Sequence, residues 1–420
     1  MSHDAQYRIL ILNQIASVGM KRLPAAVYTC GKDVRDPHAI LVRSQDMHSM
    51  MIPGSVSAIG RAGAGTNNIP VAAMSARGIP VFNAPGANAN AVKELVLAGL
   101  LLAMRNLLPA LRYVDGLLAD SANAGGATNT AGMVDDKAIH KRIEDEKKQF
   151  AGVEFPQHTL GIIGLGKIGS LVADAAIKLG MTVIGYDPHI TVDAAWSLPS
   201  SVKKANSVEE VLKHSHFVTL HVPLVDSTRN LIDAKRLDLM RPGSVLLNFA
   251  RDGIVDDHAV AAALVAHKLR WYVCDFPSVA LRGNPCVIAL PHLGASTREA
   301  EDNSAVMVVD QVRAYLEHGN VCNAVNFPDV VVARESPYRV AIANANVPNM
   351  LSQMSMAMGE AKLNIHTMVN KSRGEMAYTV LDVDSAVPAD VIARIGSIAG
   401  VLAVRYLPVA NPQELSSGAD

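Results

Sequence analysis

The sequence predicts an α/β protein. It should have two doubly wound parallel-sheet lobes, one of them a Rossmann fold, and a C-terminal ferredoxin-like βαββαβ unit. Three observations carry this. From residue 160 onward, apolar runs of strand length alternate with helix-period segments, the sign of right-handed βαβ units around a parallel sheet. A shorter alternation of the same kind fills the first 86 residues. From residue 338 the order becomes strand, helix, two strands, helix and strand.

In the first lobe the expected strands are 8–12, 40–42, 56–59 and 80–82, separated by turn residues. Residues 87–106 follow, with Val92, Leu95, Val96 and Gly99 on one helical face, so a helix is expected where the chain crosses between lobes. Residues 119–132, rich in Ala, Gly, Asn and Thr, read as a flexible surface insertion, and the charged run 135–148 as a solvated helix. The next strands are expected at 160–165, 181–186, 217–222, 244–249, 271–274 and 286–290, with helices at 167–179, 208–214 and 256–267. These strands lack polar alternation, which suits a sheet covered on both faces. The last unit has strands at 338–343, 364–369, 376–383 and 402–406, and helices at 349–361 and 389–398, with a disordered tail after Pro408. The domains are therefore 1–86 with 296–330, 87–295, and 338–408.

Composition narrows the function. A formal net charge of −1 gives no basic excess to hold a phosphate backbone, so nucleic acid is not an expected partner. The longest apolar stretch, 95–104, is about half of the roughly 20 residues a membrane span needs. Cys30, Cys274, Cys286 and Cys322 match no zinc spacing and read as thiols of a reducing compartment, so a cytoplasmic protein without metal is expected. Residues 87–106 carry more apolar surface than one lobe needs, which points to a homodimer or homotetramer.

Gly164, Gly166 and Gly169 form G-x-G-x-x-G between a strand and a helix, and Asp187 stands 18 residues beyond the last glycine. The first glycine permits the tight turn, the second lets backbone approach a pyrophosphate, and the third lets the helix pack on the sheet. The helix N-terminus offers free N–H groups to phosphates. Asp187 either binds ribose hydroxyls, favouring NAD over NADP, or caps the turn before Pro188.

Hydride transfer with a nicotinamide also needs a proton carrier and a cation to orient a carboxylate and a carbonyl. His292 and Arg251 both follow expected strand ends, the edge at which open α/β sheets bind ligands. Each also has a plain alternative, a satisfied loop histidine and an exposed cation.

Segments 248–256 (NFARDGIVD) and 291–297 (PHLGAST) resemble the D-isomer-specific 2-hydroxyacid dehydrogenases. With 61–68 (RAGAGTNN) and 83–94 (NAPGANANAVKE), the resemblance narrows to the D-3-phosphoglycerate dehydrogenases and covers nearly the whole chain. The last unit, with Asn344-Ala345-Asn346-Val347-Pro348 and Asn364-Ile365, resembles their ACT regulatory domain. The resemblance implies NAD-dependent oxidation of 3-phospho-D-glycerate to 3-phosphohydroxypyruvate, the first step of serine biosynthesis. It implies that His292 is the acid/base and that Arg251 binds the substrate carboxylate. Gly63, Ala64 and Gly65 would cradle that carboxylate through backbone N–H groups. Arg43 and Arg61 become either ligands of the substrate phosphate or ordinary surface charge. Asp275 would meet the nicotinamide carboxamide, and His221, Pro223 and Thr228 the adenine and ribose side. Lys167, Ile168, Ala250 and Gly294 complete the cofactor contacts. Asn344, Asn346 and Asn364 fall where an amino-acid effector such as serine is held, although asparagine also serves turns and caps.

Two departures stand out. The family pattern has a glutamate shortly after Asp275 that pairs with the histidine; here Val279 stands about where it is expected. Asp252 follows the arginine where many relatives have glycine. Asp256 could supply the missing acid from elsewhere. Three readings follow: the phosphoglycerate enzyme, a dehydrogenase of another 2-hydroxy acid, or an NAD-sensing protein that has lost turnover.

Overall fold

A computed structural model describes residues 6–124 and 136–409. The chain forms two compact units, one of residues 1–88 and 297–420, the other of residues 89–296.

The first unit contains two sheets. Strands β1 (Tyr7–Leu12), β2 (Tyr28–Gly31), β3 (Ala39–Val42), β4 (Ala58–Arg61) and β5 (Val81–Phe82) form a parallel sheet in the order β2-β1-β3-β4-β5. Helix Arg298–His318 covers one face, where Val308, Val309, Val312 and Tyr315 pack on Ile9, Leu41, Ala58 and Phe82. Thr297 caps its first turn by accepting from the Ala300 N–H, and Gly319, at φ +70°, ends it. Strand β2 is absent from the sequence expectation because its residues, Tyr-Thr-Cys-Gly, make no apolar run.

The second unit carries β6 (Thr159–Ile163), β7 (Thr182–Tyr186), β8 (Lys203–Lys204), β9 (Phe217–Leu220), β10 (Ser244–Asn248), β11 (Leu269–Cys274) and β12 (Val287–Ala289). They form a parallel sheet in the order β12-β11-β10-β9-β6-β7-β8. The order reverses between β6 and β9, the switch point at which such sheets open a crevice. Helices Ala89–Met104 and Lys167–Lys178 cover one face; Val208–His214, Ala234–Leu239 and Asp257–Val265 cover the other. Ser207, Asp233 and Asp256 cap the last three by accepting from backbone N–H groups of the first turn. The Asp256 Oδ1 accepts from the His258 and Ala259 N–H groups at 3.0 and 3.2 Å, and among the described residues no ion pair joins Asp256 to His292.

Two expectations change here. Helix Leu107–Ala124 runs through the first part of the supposed insertion, because Ala119, Ala122 and Ala124 extend a good helical segment; residues 125–132 lie outside the described residues, as does the tail beyond Val409. The exposed apolar surface is also not confined to Ala89–Met104, whose Val92, Val96, Leu100 and Ala103 are buried while Leu101 is exposed. It continues on the next helix, where Leu107, Leu111, Val114 and Leu118 are exposed along one stripe. No single helix among the described residues is long and apolar enough to cross a membrane.

Strands β13 (Tyr338–Ala345), β14 (Ile365–Arg373), β15 (Met376–Val383) and β16 (Val401–Pro408) form an antiparallel sheet in the order β14-β15-β13-β16. Helices Met350–Glu360 and Ala389–Gly396 cover one face. The other face packs on the first lobe: Ala341, Ala343, Tyr378, Val380 and Leu407 share a core with Tyr315, Leu316 and Phe327. Residues 338–408 are therefore not a separate compact unit, as the sequence expectation had it. Arg339 is fully buried and bonds both oxygens of the equally buried Asp382 at 2.6 and 2.7 Å. Its remaining N–H groups donate to the carbonyls of His318, Val332 and Ala333, so one guanidinium joins the lobe's helix, the connecting segment and the sheet.

Candidate active site

The seven-stranded parallel sheet places its chemistry along one edge. All its strands run the same way, so their carboxyl ends lie together. In sheet order that edge presents His292 after β12, Asp275 after β11, Arg251 after β10, His221 after β9, the glycine turn after β6 and Asp187 after β7.

The glycine turn is shaped as a dinucleotide cradle. Gly164 has φ +93°, and a Cβ there would lie 2.5 Å from the His221 carbonyl oxygen. A Cβ on Gly169 would lie 2.1 Å from the Gly164 oxygen, so the helix can approach the turn only without a side chain. Gly166 is different: a Cβ there would meet nothing within 4 Å. That open space lies at the N-cap of helix Lys167–Lys178, where N–H groups await an anion. Lys167 is exposed and Ile168 half-buried beside it.

His221 supports the same fit. Its Nε2 pairs with Thr219 Oγ1 at 3.0 Å, while its buried Nδ1 has no partner among the described residues. Burial pushes this imidazole down to about 3, so it is neutral. An unpartnered buried nitrogen beside the glycine turn, and a turn with room for phosphate, fit NAD.

Asp187 braces the cradle as well as facing it. Its Oδ2 accepts from the Leu165 N–H and its Oδ1 from the His189 N–H, both at 2.9 Å. Both readings of this residue thus have a place, since a carboxylate oxygen has a second lone pair for a ribose hydroxyl. Thr228 Oγ1 donates to the Pro223 carbonyl at 2.6 Å and accepts from the Val225 N–H at 2.9 Å, so it holds its own turn closed.

Asn248 organises the end of β10. Its Oδ1 accepts from the Ala250 N–H and its Nδ2 donates to the Arg251 carbonyl. The Arg251 guanidinium is exposed and touches the chain through one bond, Nη1 to the Ala250 carbonyl at 2.6 Å. Arg251 and His292 each follow the last paired residue of their strand by three positions, Asn248 and Ala289, with β11 between. At roughly 4.8 Å per strand, those strand ends stand about 10 Å apart.

Asp275 has a task that the sequence does not reveal. It is 1% exposed. Its Oδ1 accepts from the Leu293 N–H at 2.7 Å and its Oδ2 from the Gly294 N–H at 2.8 Å, while its carbonyl accepts from the His292 N–H at 3.1 Å. The residue expected at the nicotinamide also latches the histidine loop. His292 sits at φ +57°, a conformation a non-glycine residue keeps only when its surroundings hold it. Val279, where the acid is expected, is exposed, and the stretch 276–291 contains no Asp or Glu.

In the other unit, Arg43 and Arg61 stand at the carboxyl ends of β3 and β4, with Val42 and Arg61 in register. Arg43 is paired with Glu301, and Arg61 Nε donates to the Arg43 carbonyl at 3.1 Å. The Gly63–Gly65 turn wraps the second guanidinium, since a Cβ on Gly63 would lie 2.4 Å from Arg61 Nη1. Ala64 offers its carbonyl to Asn83 Nδ2.

In the antiparallel sheet, Asn344, Asn346, Asn349, Ser352 and Asn370 line a cavity of about 260 Å³ at the start of helix Met350–Glu360. Asn364 does not line it; its N–H and carbonyl are bonded to Asp384 instead. Asn370, missed in the sequence, takes the third place. The register of β14 slips between Ile365 and Thr367, and a one-residue slip turns every later side chain to the opposite face.

Known proteins share these features. Residues 127–294 match the NAD-binding domain of the D-isomer-specific 2-hydroxyacid dehydrogenases. A D-3-phosphoglycerate dehydrogenase of Haemophilus influenzae is 32% identical over 89% of this chain and 87% of its own. One from Methanocaldococcus jannaschii is 32% identical over 83% of this chain, which spans 62% of that longer relative. The NAD+-bound 3-phosphoglycerate dehydrogenase of Entamoeba histolytica superposes with a TM-score of 0.55 over 76% of this chain and 99% of its own; at 22% identity this speaks to the fold alone.

Proposed function

Because the chain belongs to the D-isomer-specific 2-hydroxyacid dehydrogenases, in their D-3-phosphoglycerate dehydrogenase branch, we propose that it oxidises 3-phospho-D-glycerate to 3-phosphohydroxypyruvate, the opening step of serine biosynthesis. The supporting observation is the row of strand ends that carries an exposed guanidinium, a latched histidine and a dinucleotide turn on one sheet edge. Bound NAD supplies the hydride acceptor. Arg251 binds the substrate carboxylate and polarises C2 as it gains carbonyl character. His292 takes the proton of the 2-hydroxyl. Arg43 and Arg61 are the proposed ligands of the phosphate. The test is NADH absorbance on mixing protein, NAD and acid: turnover of 3-phosphoglycerate but not lactate is expected. Turnover of lactate alone would move the enzyme to another acid, and NAD binding without any turnover would make it a sensor.

The C-terminal sheet is proposed as an ACT module whose asparagine-lined cavity takes an amino acid, serine first. Asn346 is the handle: its Nδ2 now donates to the Gly374 carbonyl at 3.0 Å. Calorimetry should show serine binding that Asn346→Ala abolishes; no heat with the unaltered chain removes the reading. The stripe Leu107, Leu111, Val114 and Leu118 is the proposed contact of a homodimer or homotetramer, with Leu111 and Leu118 59% and 51% exposed. Leu111→Asp should lower the mass seen by light scattering; an unchanged mass rejects that surface. Cys30, Cys274 and Cys286 are free thiols, as the proposed cytoplasmic location would keep them.

A further inference from the structure

An acid/base histidine must present one ring nitrogen to the substrate, which requires its ring to be held. The backbone of His292 is held by Asp275, but backbone bonds leave the side-chain torsions free. Among the described residues no hydrogen bond or ion pair reaches the imidazole, and residues 276–291 contain no Asp or Glu that could provide one. One side chain does meet the ring. Phe276 lies with its centroid 5.1 Å from that of His292, the planes at 66°, in an edge arrangement. That geometry is the preferred one for rings whose faces and edges carry opposite partial charge. Phe276 is itself half-buried, and its carbonyl accepts from the Cys274 thiol at 3.4 Å. It also directly follows Asp275. One dipeptide thus fixes the histidine twice, its backbone through the Asp275 carbonyl, with the carboxylate holding the two residues that follow, and its ring through an aromatic edge.

We propose that Phe276 is the positioning residue of His292, doing by ring packing what a carboxylate partner would do by hydrogen bonding. The proposal rests on His292 being the acid/base of the reaction above. It predicts that Phe276→Leu, which keeps apolar bulk and removes the ring, lowers kcat about tenfold while KM for 3-phosphoglycerate stays within about twofold. Phe276→Tyr restores the rate, because the ring returns. A purely structural role would lower the melting temperature and weaken NAD binding without that split.

A second readout needs no turnover. In the full chain with ring-labelled histidine, the His292 resonance, assigned by its loss in His292→Gln, should carry a ring-current shift from Phe276. The shift should vanish in Phe276→Leu and return in Phe276→Tyr. A wild-type resonance without the shift, or a Leu variant with unchanged kcat, overturns the proposal. If the shift pattern holds but no variant, wild type included, oxidises 3-phosphoglycerate, the assigned reaction falls and the placement of the ring by Phe276 stands.

Discussion

Asp275 and Asp382 are both buried, and the difference between them separates the two halves of this molecule's design. Asp275 is 1% exposed and spends its charge on neutral backbone N–H groups of a loop 18 residues further on. Asp382 is fully buried and spends its charge on a guanidinium 43 residues away, which in turn gathers three carbonyls from two other segments. The first arrangement aims a side chain at the sheet edge. The second ties the antiparallel sheet to the end of a helix and to the segment that connects them. A buried carboxylate needs a partner in either case, and the choice between dipoles and a cation decides what is held.

Breaking the second pair should have the largest effect. Asp382→Ala leaves Arg339 charged and unpaired in the core and should cost about 3–5 kcal/mol, measured by denaturant unfolding. The double variant Arg339→Met/Asp382→Leu should recover most of it, because no charge is then stranded. Equal losses in the single and double variants would show that the stranded charge is not the cause. Asp275→Ala comes next. The fold should persist by circular dichroism while kcat falls on the order of 100-fold as the loop of His292 comes unlatched. A fall in stability with kcat intact would make Asp275 another Asp382.

His221 gives a milder, pH-dependent contrast, since it is buried without a charged partner. Its imidazole is pushed down to about 3 in the fold, against about 6.5 in the unfolded chain. Between those values the unfolded state binds a proton that the native state refuses. Its contribution is therefore whole above about pH 6.5 and is lost as pH falls toward 3, at up to about 1.4 kcal/mol per pH unit. His221→Gln should flatten the unfolding midpoint between about pH 4 and 6 relative to wild type; parallel curves would refute the burial argument. The smallest effect separates two glycines of the same turn. Gly166→Ala should leave stability unchanged and weaken NAD binding about tenfold, whereas Gly169→Ala, which would drive a Cβ to 2.1 Å from the Gly164 oxygen, should lower stability as well. Titration of cofactor fluorescence alongside melting curves checks both.

The same contrast explains what the sequence could reveal. The strands of the NAD-binding sheet are local apolar runs, and residues that follow their ends lie on one edge by topology alone, so Arg251, His292 and the glycine turn were legible before any coordinates. Asp275 is legible as a strand-end acid, but its bonds to the Leu293 and Gly294 N–H groups are not, because those groups belong to a neighbouring strand's loop. Phe276 carried no motif, only proximity. The Arg339–Asp382 pair joins residues that look like ordinary strand polar positions until β13 and β15 are set in register. That Asn370 and not Asn364 lines the cavity has a smaller reason: a single slip in β14 is invisible to a pattern of alternation. β8 is two exposed lysines, which no apolar pattern marks.

Helix Arg298–His318, with 21 residues, is about 30 Å long. Thr297 secures its first turn, just where the chain re-enters the first unit, and Arg339 grips its last carbonyl. It is thus a strut clamped at both ends, with the asparagine-lined cavity carried by the sheet at the far clamp. With a bond at each terminus, fraying at either end is opposed, so the amide protons of this helix should exchange slowly along its length.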